Sequence, residues 1–341
     1  MSVEAFLLYR KSTSATGRAL ATELGIPAGR DPRKAPRCTK LIRWGNSTNR
    51  GLDEGASFVL NNSMNISDLS NRHHMFRNMQ RRGVPGTLSV NFNPTWEYNG
   101  SWLLRDRYSF QGNDVVRPSN PAQFNAIMED GRDLFAVEHW HGDYEVRVHI
   151  FQGRSILMQV KARSAETIAD DRIEDETPAP GVLIRNRSNG WNLYPLTTGV
   201  ARDVGIDRRI LRNAAKDAAS RMGIDFCAVD FLVRPGPNLR YRILELNSAP
   251  GLSGQSLNRY TTAMTTWLRT VVDETEEDDE PVDSAAGPQA ELAFDESPAT
   301  PPWTFQNPVD STPSDRWNDA ATTYRVSLRD EATRLRNDLD I

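Results

Sequence analysis

The sequence predicts an α+β protein, with a small α/β unit leading into a larger body of antiparallel strands and helices. Three patterns carry this. Residues 5–83 read strand, helix, strand, strand, helix. Residues 101–163 hold strand-like runs at short intervals, joined by hairpin-type turns. Residues 207–272 read helix, strand, strand, helix.

The opening AFLLYR (5–10) is a compact apolar run, as a buried strand requires. In 11–25, Ser and Thr precede an apolar rhythm at Ala19, Leu20 and Leu24, and Gly25 follows: N-cap, helix, C-terminal glycine. LIRWGN (41–46) and FVLNN (58–62) are short strands. Leu69, Met75, Phe76 and Met79 give 67–83 a helical spacing that stops at Arg-Arg-Gly-Val-Pro. The segment 101–118 reads as two strands around a polar loop. LFAVEHW (134–140), YEVRVHIF (144–151) and RSILMQVKAR (154–163) follow, with hairpin turns at Gly142-Asp143 and Gln152-Gly153. The polar stretch 164–181 predicts a mobile loop. Ile210, Leu211, Ala214, Ala215, Ala218, Ala219 and Met222 share one helix face, ended by Gly223. Strands at 225–233 and 241–247 flank a Pro-Gly-Pro-Asn turn, and 256–272 carries a last apolar helical stripe from Leu257 to Val271.

Charge is unevenly spread over the 341 residues. Residues 273–341 hold 18 acidic and 5 basic side chains, a net of −13; the whole chain is −4, which leaves +9 on residues 1–272. DETEEDDE (273–280) opens a Pro- and Ser-rich stretch that cannot bury enough apolar area to offset ordering, so 273–312 is expected to be a disordered linker. Trp317, Ala321, Tyr324, Leu328, Leu335 and Leu339 then predict a terminal amphipathic helix within 313–341, docked on its own domain or holding a protein partner. No apolar run reaches the ~18 residues of a membrane span. Cys38 and Cys227 make neither a disulfide framework nor a zinc spacing, so a reduced, cytoplasmic protein is expected. His139 and His141 alternate along the expected strand without an evident third metal ligand.

The most informative stretch is 226–254. Asp230 lies mid-strand among apolar residues, and Glu245 and Asn247, two apart on the next strand, share a face. A hairpin brings all three together. Buried oxygens of this kind require a cation. All-oxygen ligands suit Mg²⁺, and a salt bridge to an arginine is the alternative.

Ala228-Val229-Asp230-Phe231 and Leu244-Glu245-Leu246-Asn247-Ser248-Ala249-Pro250-Gly251-Leu252 resemble the metal-binding end of the ATP-grasp ligases, in particular the branch of the ribosomal-protein glutamate ligase and glutathione synthetase. The resemblance implies an ATP-grasp domain over 86–272, two α+β subdomains holding ATP between antiparallel sheets, behind a pre-ATP-grasp domain over 1–85. It implies Asp230, Glu245 and Asn247 as ligands to one or two Mg²⁺, with Mn²⁺ as a substitute. The family's phosphate-binding lysine corresponds to Arg105 here, and its small loop to the segment holding Gly112, the loop's one glycine. Glu138 stands where the family has a nucleotide-holding acid near the hinge. Glu145-Val146-Arg147 fits its acid-x-Arg strand, with Arg147 on the transferring phosphoryl group; an ion pair of Arg147 with Glu145 or Glu138 is the other reading. Lys161, one of five lysines, matches an ATP-contacting position. Arg185, with Asn186 and Gly190, resembles the segment on the acceptor side. WGNS (44–47) and LNNSMNIS (60–67) are candidate substrate-facing loops.

The implied activity is ATP- and Mg-dependent amide-bond formation between a small-molecule or peptide carboxylate and an amine, through an acyl phosphate. Two rivals stand beside it. The positive body would suit a nucleic-acid-directed modification enzyme, and the arginine at 105 would suit an inactive interaction protein.

Overall fold

The computed structural model describes residues 2–10, 14–91, 102–107, 115–129, 133–163 and 191–273. The expected loop at 164–181, the loop glycine Gly112, the segment holding Arg185, Asn186 and Gly190, and everything expected beyond residue 273 lie outside these. The chain divides into two units, Met1–Leu268 and Arg269–Ile341; the elements below belong to the first, apart from the end of the last helix. No described helix is long and apolar enough to cross a membrane.

The chain opens on a four-stranded parallel sheet. Strands β1 (Ser2–Tyr9), β2 (Ala28–Gly29), β3 (Arg37–Trp44) and β4 (Phe58–Leu60) lie in the order β2-β1-β3-β4. Helix α1 (Ala15–Leu24) starts where the Ser14 hydroxyl accepts the Gly17 N–H and ends at a left-handed Gly25, as its sequence predicts. The expected single helix at 67–83 is two, α2 (Ser63–Leu69) and α3 (Arg72–Arg81). Asparagines break it: Asn62 accepts the Asn65 N–H, and Asn71 accepts those of His73 and His74, so each begins a new helix.

In the two segments expected to face substrate, Asn46 and Asn61 make structural bonds. Asn46 is buried and donates to the Tyr9 and Arg30 carbonyls. Asn61, fully buried with φ +60°, joins the parallel sheet to the start of a later strand: its carboxamide donates to the Phe226 carbonyl at 2.8 Å and accepts the N–H groups of Asp225 and Phe226. Trp44 stacks on Phe226 at 5.3 Å in the same joint.

A second sheet has the order β5-β8-β6-β7, from Val90–Asn91, Leu134–Glu138, Trp102–Asp106 and Val115–Val116. Helix α4 (Pro121–Glu129), absent from the sequence reading, buries Phe124 against Leu104, Leu134 and Ala136. The third sheet has the order β11-β10-β9-β12-β13: β9 (Tyr144–Phe151), β10 (Arg154–Arg163), β11 (Trp191–Pro195), β12 (Phe226–Arg234) and β13 (Arg240–Asn247), all antiparallel. A short helix α5 (Thr198–Asp203) leads to α6 (Arg208–Met222), and the described part of the chain closes on α7 (Gln255–Asp273).

Gln152-Gly153 forms the expected hairpin, with positive φ at both residues. Gly142-Asp143 does not. Strand β8 stops at Glu138, and residues 139–143 cross from the second sheet to the third, so His139 and His141 share no strand face. Gly142 is required there, since a Cβ would sit 2.8 Å from the Leu232 side chain and 3.1 Å from the Val233 nitrogen.

Candidate active site

The third sheet has two unlike faces. Val146, Val148, Ile150, Val160, Val229, Phe231 and Val233 are buried, and α6 packs across β9, β10 and β12 with Leu211, Ala215, Ala218 and Met222 buried. The opposite face carries Glu145, Arg147, His149, Gln159, Lys161, Asp230 and Glu245 beside apolar residues such as Phe226, Ala228 and Leu232. Register fixes the row: Gln159 opposes Arg147, Arg147 opposes Asp230, and Asp230 opposes Glu245. Glu145 lies two residues before Arg147, and Lys161 two after Gln159, on the same face.

Asp230 is 3% exposed, and Arg147 grips both its oxygens, Nε to Oδ1 at 2.7 Å and Nη2 to Oδ2 at 2.8 Å. Burial alone would raise the Asp230 carboxyl, but the Arg147 guanidinium outweighs it and holds the group well below the usual carboxylate range. Burial likewise opposes charge on Arg147, and Asp230 reverses that, raising the guanidinium above its ordinary value. Arg147 therefore pairs with Asp230, neither with Glu145 nor with Glu138. Glu145 takes Lys161 instead, whose Nζ also lies 4.0 Å from Asp230 Oδ2.

A β-bulge at Leu244 separates the Asp230–Glu245 pairing from that of Phe231 with Ile243. Bulges are common beside functional sites, where they re-aim a side chain. Arg72, the first residue of α3, binds here twice: Nη1 donates to the Leu244 carbonyl at 3.4 Å and Nη2 to Glu245 Oε2. Glu245 is about a quarter exposed, and its Oε1 accepts no hydrogen bond among the described residues. Asn247 accepts the Ala249 N–H at 2.9 Å, opening the turn into Pro250-Gly251.

Arg105 arrives from β6. It is 9% exposed, and its Nε finds no hydrogen-bond partner among the described residues. Burial pushes the guanidinium down to about 9, with Arg72 adding to the effect and Glu245 opposing it, so it remains charged at neutral pH. The second and third sheets thus converge on one cluster. Glu138, at the end of β8, accepts the Ser89 N–H and lies 3.7 Å from Arg242, which opposes Leu232 on the same face of the third sheet. Arg234 and Arg242 both stack over Trp140, at 4.7 and 5.7 Å.

No protein-family model matches the chain, and no curated protein sequence does. Solved structures do. A D-alanine–D-alanine ligase from Bacillus anthracis complexed with ATP aligns over 81% of this chain and 99% of its own, with a TM-score of 0.56 and 11% identity. The ATP-grasp ligase PsnB, complexed with a variant of its minimal precursor, Mg and ADP, aligns over 78% and 98%, with a TM-score of 0.51 and 9% identity. The macrocyclase MdnC from Microcystis aeruginosa, bound to its precursor peptide MdnA, aligns over 79% and 99%, at 0.50 and 11%. The fold is the ATP-grasp fold.

On that fold, the sequence-expected residues Arg105, Lys161, Arg147, Asp230, Glu245 and Asn247 all stand on or beside the charged face. Glu138 lies at its rim, while Gly112 and Arg185 fall outside the described residues. Sequence reasoning missed Arg72. Its signal was Asn71 directly before it, a cap that makes residue 72 the first position of a helix.

Asp230 and Glu245 are each engaged by an arginine, as the salt-bridge alternative required, and among the described residues no group of three His, Cys, Asp or Glu side chains is placed to hold a metal ion; the oxygens themselves still suit a divalent cation. Every donor in Asp230, Glu245 and Asn247 is oxygen, and each retains free lone pairs beyond the bonds described. Arg105 offers a buried, charged N–H that lacks an acceptor among the described residues.

Proposed function

We propose that this chain is an ATP-dependent ligase that joins a carboxylate to an amine, a carboxylate–amine ligase working through an acyl phosphate. One observation carries the reading: the unpartnered, buried Arg105 stands next to a row in which carboxylates and cations alternate across adjacent strands. The Nε groups of Arg107, Arg208 and Arg242 also lack a hydrogen-bond partner among the described residues, but those side chains make other bonds or ion pairs, and Arg105 makes none there. A polyphosphate supplies its missing acceptor.

In this reading Arg105 and Lys161 hold phosphate oxygens, Glu138 and the segment holding Gly112 hold the rest of the nucleotide, and Asp230, Glu245 and Asn247 hold Mg²⁺, or Mn²⁺ in its place. A bound divalent ion supplies Lewis-acid neutralisation of the phosphate oxygens. Arg147, fixed by its two bonds to Asp230, would face the γ-phosphoryl group as a substrate carboxylate attacks its phosphorus and the bond to the bridging oxygen breaks, releasing ADP. Arg185 is assigned to the acceptor side. An amine then displaces phosphate. Positioning and electrostatics supply the acceleration, and no side-chain nucleophile is needed. PsnB and MdnC hold precursor peptides in their complexes, so peptide carboxylates stand beside free amino acids as substrates. Such an enzyme works where ATP is, in the cytoplasm.

The test is a coupled ADP-release screen over amino acids and short peptides, read by mass spectrometry for a condensation product. The ligase reading requires ADP release that depends on both partners and disappears in Glu245→Gln. Nucleotide-independent product, or none with any pair, sinks it.

A further inference from the structure

Arg72 has no part in the reading above, yet it is the side chain that occupies Glu245. It is held on three sides. Asn71 caps α3 and fixes the helix end from which Arg72 projects. One turn on, the Met75 sulfur accepts the Leu246 N–H at 3.3 Å, and the Gly86 carbonyl accepts that of Ile243 at 2.7 Å, so α3 and the segment after it run along the edge of β13. The bulge at Leu244 then presents a carbonyl and a carboxylate side by side, which the planar guanidinium grips together.

The charge balance of the cluster sets a condition. Among the described residues of the row, Arg72, Arg105, Arg147 and Lys161 stand with Glu145, Asp230 and Glu245, four cations beside three carboxylates, a net of +1. A bare divalent ion would raise this to +3 in a place where Asp230 and Arg105 are almost wholly out of water. It would also have to strip Glu245 of its guanidinium and leave that charge unpaired, and both steps are costly at low dielectric. A nucleotide triphosphate brings about four negative charges and removes both penalties.

Building on the ligase reading, we propose that Arg72 guards Glu245 against free metal. The divalent ion enters only together with the nucleotide polyphosphate, and Arg72 leaves Glu245 for the incoming phosphates as it does. Arg72 is thus a positioning residue that sets the order of binding. It makes metal and nucleotide affinities strongly linked, and the linkage is reciprocal.

The test uses the full chain and needs no turnover. Free Mn²⁺ is followed by electron paramagnetic resonance, with and without a non-hydrolysable ATP analogue. Wild-type protein is expected to bind Mn²⁺ weakly alone and far more tightly with the analogue. In Arg72→Gln, analogue-free Mn²⁺ binding is expected to tighten on the order of tenfold, and the linkage to shrink by the same factor. Loss of packing alone would not tighten metal binding. Should Arg72→Gln fail to fold, Arg72→Lys, which keeps one charge but loses the two-pronged grip, should tighten it by roughly threefold. A folded variant with wild-type Mn²⁺ affinity overturns the proposal and leaves the ligase reading standing. A wild-type chain that binds neither Mn²⁺ nor analogue overturns both.

Discussion

Two buried arginines, Arg43 and Arg105, separate scaffold from site. Arg43 has no solvent exposure, and every nitrogen of its guanidinium has a partner: Nε to Asp53, Nη1 to the carbonyls of Asn46 (3.1 Å) and Thr48 (3.0 Å), and Nη2 to Asn49 (3.3 Å). Together these bonds pin the loop after β3. Arg105 is nearly as buried, but its Nε is left without a partner among the described residues and its charge is disfavoured. Burying a charge is costly in both cases. At Arg43 the cost is offset within the fold. At Arg105 no described residue offsets it, and on the ligase reading a phosphate would.

The largest expected effect breaks the first half of this contrast. Arg43→Met leaves Asp53 without its partner and removes the donors that hold the 46–49 turn. Loss of one member of a buried pair costs about 3–5 kcal/mol, which chemical denaturation would measure. Nucleotide affinity of the folded protein should not change. A loss below about 1 kcal/mol would mean that full satisfaction is no guide to structural importance.

His149 sharpens the comparison, because it lies on the site face yet is fully partnered. Its Nε2 meets Gln159 Oε1 at 2.9 Å, its Nδ1 meets the Tyr260 hydroxyl at 3.3 Å, and that hydroxyl donates to the Cys227 carbonyl. By the criterion drawn from Arg43 it belongs to the scaffold. Burial, with the Arg147 charge beside it, pushes its pKa down to about 4 from 6.5. The sign follows directly: between these values the unfolded chain binds the proton and the folded chain does not. Stability is therefore full above pH ~6.5 and falls as the pH drops towards 4, by roughly 3 kcal/mol for this one group. His149→Gln should remove that part of the pH slope in denaturation curves while leaving nucleotide binding in place. An unchanged slope would contradict the burial argument.

What was legible in the sequence follows the same division. Apolar periodicity and caps gave α1, α6, β1, β9, β12 and β13, because those elements are dictated locally. The two-residue spacing of Glu245 and Asn247, with Asp230 on the neighbouring strand, puts three oxygen-bearing side chains on one face. The pairings were not legible. Arg147 with Asp230 and Arg72 with Glu245 join residues 83 and 173 positions apart, and no local rule links them. The helix break at 70–71 was missed because apolar spacing runs through it, while the Asn71 cap competes with it. The expected hairpin at Gly142-Asp143 failed for a related reason. A Gly-Asp turn between two apolar runs does not reveal whether the runs share a sheet, and here they belong to two.

The smallest effect is expected at Arg105 itself, and its pattern is the inverse of Arg43. Arg105→Met removes a buried charge that nothing in the described fold satisfies, so stability should hold or rise, as when buried charges are replaced by apolar side chains of similar size. Binding should weaken instead. A hydrogen bond to a charged phosphate contributes about 1.5–3 kcal/mol, or roughly ten- to hundredfold in the Kd of an ATP analogue measured by calorimetry. Arg105→Lys, which keeps the charge, should recover part of this. If Arg105→Met were instead strongly destabilising with nucleotide affinity intact, Arg105 would belong with Arg43. The charged face of the third sheet would then lose the support that Arg105 gives to a polyphosphate.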